Sequence, residues 1–165
     1  MLQNIRKYKP KPKPKPKSPV VTKYQFIVTR EGALPFIESG NPFPFNTIKL
    51  STPVNTLFNT TTHEFITPVT GVYVLSYSLT FRNIHTTHTS LYIKINKNHN
   101  VTEDEFVHSF NANAFKTSAD ESVISNTIML QLTALDNIRI IVQYDDATEK
   151  LQAHHIGSRF SGYLL

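Results

Sequence analysis

Apolar and polar side chains alternate most plainly from Gly71 to Phe81. Tyr73, Leu75, Tyr77, Leu79 and Phe81 fall on one face, and Val72, Val74, Ser76, Ser78 and Thr80 on the other. Period two sustained this long, with Ser and Thr filling most of the second face, predicts a strand buried on one side. The same pattern recurs along the chain. Tyr24 to Thr29 sets Tyr24, Phe26 and Val28 together, and Ser90 to Asn96 sets Leu91, Ile93 and Ile95 against Tyr92, Lys94 and Asn96. Val123 to Thr133 aligns Ile124, Ile128, Leu130 and Leu132, and Asn137 to Tyr144 aligns Ile138, Ile140, Val142 and Tyr144. Shorter candidates are 34–37, 45–50, 62–67, 105–110 and 159–165, with a Pro-rich turn at Asn41-Pro42-Phe43-Pro44. About ten short strands between polar turns, with no amphipathic helical period, predict an all-β, antiparallel jelly-roll sandwich.

The pattern fails before residue 22. Lys9-Pro10 through Lys15-Pro16 is a strict Lys-Pro alternation. Proline fixes φ and drives its predecessor out of the helical region, while neighbouring lysines repel one another. Residues 1–21 therefore read as an extended basic arm, and 22–165 as one domain. Arg6, Lys7, Lys9, Lys11, Lys13, Lys15 and Lys17 give the arm +7 with no acid, against +5 for the whole chain, so the body is slightly acidic. The high cationic balance belongs to the arm, and no basic groove is expected on the domain. Cysteine is absent, which excludes disulfides and thiolate metal sites. No stretch approaches the ~20 apolar residues of a membrane span, and the basic N-terminus lacks the apolar segment of a secretory signal.

Several residues together resemble the globular head of the C1q/tumour-necrosis-factor family. Phe58, Phe65, Gly71, Tyr73 and Tyr77 stand at that family's aromatic and glycine spacing, with Leu75 where Phe is usual. Leu130 to Ile138 is similar to its leucine strand, Gly-Asp turn and next strand, with Leu135 in place of the Gly. The ending Phe160-Ser161-Gly162-Tyr163-Leu164-Leu165 is similar to its terminal strand. The resemblance spans about residues 22–165. Phe58, Phe65, Gly71, Tyr73, Leu75, Tyr77, Phe160 and Gly162 are thereby expected to define the fold as core residues, and Gly71 to sit where a side chain would collide or φ is positive. The resemblance implies a homotrimer without catalysis that meets a protein or glycan ligand through its loops; with no Gly-X-Y tract in the sequence, a collagen stalk before the domain is not expected.

Other candidate chemistry is sparse. His85/His88 and His154-His155 lack metal-ligand company, and no nucleophile motif or phosphate-cradling glycine loop occurs. Acidic clusters at Glu103-Asp104-Glu105, Asp120-Glu121 and Asp145-Asp146 read as solvated turns without calcium-loop spacing. No cofactor is expected, a structural Ca2+ at Asp145 and Asp146 excepted. The loops 83–89, 97–105 and 145–157 are the expected recognition surface. The arm reads as a stiff spacer or anchor, as a nucleic-acid partner in the manner of a viral coat protein, or as a contact for an anionic membrane or polymer. The leading expectation is a non-enzymatic binding or structural module on the surface of a cell, spore or virion. The alternative is a viral coat or decoration protein whose arm meets packaged nucleic acid.

Overall fold

The computed structural model describes residues 23–32, 36–53, 57–82, 90–99, 104–111, 122–144, 151–153 and 157–165. The cationic arm, Asp145, Asp146 and the histidine pairs 85/88 and 154/155 lie outside them. Among the described residues there are twelve strands and no helix: β1 (Gln25–Thr29), β2 (Phe36–Ile37), β3 (Thr47–Thr52), β4 (Phe58–Asn59), β5 (Glu64–Ile66), β6 (Gly71–Arg82), β7 (Ser90–Lys97), β8 (Asp104–Asn111), β9 (Ser122–Leu132), β10 (Asn137–Tyr144), β11 (Leu151–Ala153) and β12 (Arg159–Leu164). One sheet runs β2-β11-β6-β12-β1-β3 with β9 on the far side of β6, and the other runs β4-β5-β10-β7-β8. Every strand pair is antiparallel.

Two strands, β4 and β11, are not foreshadowed in the sequence. At two and three residues they show no period of their own. Pairing creates them, β11 being held between β2 and β6. Asp104, expected in a loop, opens β8, where it pairs with Asn96 across a bulge. The Pro-flanked stretch 41–44 is more than a turn. The Phe43 N–H donates to the Ile140 carbonyl at 2.7 Å, Pro42 bridges Ile141, and Phe43 and Phe45 are both fully buried.

The core lies between the sheets and is rich in rings. Phe26 stacks on Phe65 at 4.4 Å and meets Phe160 edge-on at 5.0 Å, and Phe65 meets Tyr73 edge-on at 5.7 Å. Tyr73, Leu75, Tyr77, Leu79 and Phe81 all point inward, as alternation demands. Phe58 and Phe160 join them. Burial pushes the Tyr77 hydroxyl up to about 12. It also raises Tyr73, although the hydrogen bond that Tyr73 donates to the Val69 carbonyl at 2.7 Å acts the other way.

Both family-pattern glycines make room for side chains, and neither has a positive φ. A Cβ at Gly162 would lie 2.7 Å from Leu75 Cδ2 and 2.7 Å from Phe26 Cε1, so the terminal strand approaches the core too closely for any side chain. At Gly71 a Cβ would meet Leu164 Cδ1 at 2.5 Å. Leu135, by contrast, adopts φ +73°, the left-handed backbone that a glycine accepts without strain. Its turn is held by Asp136, whose Oδ2 accepts from the Thr133 N–H and whose Oδ1 accepts from Asn98 Nδ2, each at 2.8 Å. Burial pushes that carboxyl up, but Asn98, the Thr133 N–H and Lys97 together outweigh it and hold it below the ordinary range.

Candidate functional site

The two ends of the sandwich differ. β1 begins beside the end of β12, the Leu164 N–H donating to the Tyr24 carbonyl at 3.0 Å. The turns 67–70, 97–99 and 133–136 gather at this same end: the Thr67 N–H donates to the Asp136 carbonyl, and the Asn98 N–H to that of Asn137. Tyr24 therefore lies at this end. The residues flanking 83–89, 112–121 and 145–150 lie at the opposite end, where β6, β8 and β10 finish and β7 and β9 start. The sequence groups 97–105 with the other two recognition loops, but the fold starts that stretch at the end where β1 begins.

Strand register lays out the outward face of the first sheet row by row. Side chains of directly paired residues share a face. One row reads Gln131, Val72, Leu165; the next Met129, Val74, Tyr163, Gln25; the next Thr127, Ser76, Ser161, Ile27, Leu50; and the next Ser125, Ser78, Arg159, Thr29. Met129 is 68% exposed, Leu165 68% and Tyr163 49%. They form an apolar band with Val72 and Val74, set beside a band of hydroxyls. Ser76 and Thr127 hydrogen-bond through their side chains at 2.8 Å.

β9 borders this face. It pairs only with β6, so its other edge is bare among the described residues. Its eleven residues contain no charge and no proline. A long, uncharged edge next to an apolar face is what proteins avoid unless another chain covers it.

The second sheet carries a charged cluster. Glu64, buried, has its Oε1 2.6 Å from His99 Nε2 and 3.9 Å from Arg139, and Arg139 Nε donates to Asn96 Oδ1 at 2.9 Å. The arrangement ties β5, β10 and the 97–99 turn together. His63 sits apart, its Nδ1 2.8 Å from the Phe45 carbonyl. Among the described residues no three His, Asp or Glu gather as metal ligands would. Asn59 is exposed, and its side-chain oxygen accepts from the Thr61 and Thr62 N–H groups.

The expected core residues Phe58, Phe65, Tyr73, Leu75, Tyr77, Phe160 and Gly162 thus lie inside, and Gly71 lies half-buried at the start of β6. Sequence reasoning passed over the apolar band of the outward face, although Val72, Val74, Met129 and Tyr163 occupy the polar phase of their strands. Large apolar residues in that phase were the available signal.

The profile of the C1q domain matches residues 25–165. Among solved structures, the globular domain of zebrafish complement 1qA protein is similar at 21% identity and TM-score 0.59, over 87% of this chain and 98% of that one. Eiger TNF from S. frugiperda is similar at 12% identity and TM-score 0.67, over 88% and 94%. Murine APRIL is similar at 11% identity and TM-score 0.61, over 87% and 99%. No curated protein sequence matches the chain.

Proposed function

The chain belongs to the C1q domain family, whose domains are typically trimeric binding modules without enzymatic activity, and from that premise we propose that it acts as a homotrimer displayed on the surface of a cell, spore or virion. The observation that carries this reading is the apolar band on the outward face of β6, β9 and β12, with a β9 edge that is bare among the described residues. A closed assembly buries both, which an exposed monomer leaves as a liability. Residues 22–165 form the head, and residues 1–21 act as a spacer or anchor that leaves the head at the end where β1 begins. The loops at the opposite end then meet a protein or glycan ligand.

The test is mass and absorbance. Sedimentation of the full chain is expected to give three times 18.8 kDa. Met129→Asp places a carboxylate in the apolar band and is expected to yield a folded monomer by circular dichroism. A wild-type monomer, or an undisturbed Met129→Asp trimer, would refute the interface. Large particles rich in nucleic-acid absorbance, lost when residues 1–21 are removed, would instead favour the coat-protein reading that the seven arm cations allow.

A further inference from the structure

Arg159 opens β12 on the outward face of the first sheet, exposed, in register with Ser78 of β6 and Thr29 of β1. It borders three depressions on that face. The largest, about 290 Å³, is lined by Ser76, Tyr77, Ser78, Arg159 and Ser161. Tyr77 turns inward and contributes backbone, so the side chains presented are three hydroxyls and one guanidinium. Among the described residues no acid lines it. Glu31 borders a neighbouring depression, and it is paired with Lys49. Arg30 adds a second guanidinium to that neighbouring depression and hydrogen-bonds the Pro44 carbonyl at 3.3 Å. Thr29 Oγ1, beside Arg159, is buried without a hydrogen-bond partner.

We propose that Arg159, with the hydroxyls of Ser76, Ser78 and Ser161, forms a binding site for a tetrahedral oxyanion of the phosphate or sulfate class. The guanidinium fork offers paired donors to two oxygens of one anion, and serine hydroxyls turn to donate to the others. The site's bearing on assembly rests on the homotrimer reading above. If the outward face is covered, an uncompensated cation there is costly. An enclosed oxyanion supplies the missing charge and stabilises the assembly.

The probe is inorganic phosphate, titrated into the full chain at constant ionic strength, with chloride as the reference. Binding is followed by thermal melting and by 31P line width, and mass is measured by sedimentation in the same samples. The wild type is expected to show a saturable rise in melting temperature. Arg159→Gln is expected to weaken the response by about tenfold or more, and Arg159→Lys by less. Ser78→Ala, which leaves the charge in place, is expected to weaken it measurably. Phosphate held by the arm contributes equally to all four proteins, so the difference between them reports the site. An equal response in wild type and Arg159→Gln, or none in the wild type, overturns the proposal. A saturable, Arg159-dependent response from a chain that sediments as a monomer supports the site while refuting the trimer.

Discussion

Leu135 offers a prediction whose sign, and not only its size, is at stake. It lies at the tip of the β9–β10 turn with φ +73° and is 77% exposed. A residue with a Cβ in this backbone state costs about 1–2 kcal/mol, while glycine has no such penalty. Glycine gives back about 0.5–1 kcal/mol through the greater freedom of its unfolded chain. Comparing Leu135→Gly with Leu135→Ala removes the side chain in both and keeps the strain in only one. The glycine variant is therefore expected to be more stable than the alanine variant by about 0.5–1 kcal/mol, or ~2–4 °C in melting temperature per kcal/mol for a domain of this size. At an ordinary strand or helix position the order reverses, alanine being favoured by a similar amount. Melting curves at one protein concentration decide it, since an oligomer's midpoint shifts with concentration. An alanine variant equal to or above the glycine variant would refute the left-handed assignment at Leu135, and with it the reason a glycine suits the Gly-Asp turn of the family.

Tyr73→Ala is expected to cost about 3–5 kcal/mol by denaturant titration, because the ring is buried against Phe65, whereas Tyr73→Phe loses only the bond to Val69, about 1 kcal/mol. Gly162→Ala is expected to cost about 1–3 kcal/mol, since the new methyl meets the fully buried Leu75 and Phe26. Gly71→Ala should cost less, because it meets the end of the partly buried Leu164, which can move; equal losses would show that Leu164 is as fixed as the core. Tyr77, held near 12 in the folded chain, ionises about two units earlier when unfolded. Its contribution is therefore complete below pH ~10 and lost as pH rises towards ~12. Tyr77→Phe should flatten that limb of the stability–pH curve, and an unchanged limb would place the hydroxyl in water.

Much of the fold is present in the order of residues alone. Strand phase follows from side-chain alternation, which is local, so the inward faces of β1, β6, β7, β9 and β10 could be read directly. The expectation that residues 1–21 stand apart rests on charge and proline, which also act locally. Tertiary structure decided the rest, because it depends on partners distant in sequence. Only the approach of β12 to Phe26 and Leu75 explains Gly162, and only the Ile140 carbonyl makes a paired segment of a Pro-flanked Phe43. Strands as short as β4 and β11 exist because longer neighbours supply their hydrogen bonds. The candidate surface belongs to this second class. Met129, Val74 and Tyr163 are dispersed along the chain, and it is register that sets them in one row and leaves them facing water.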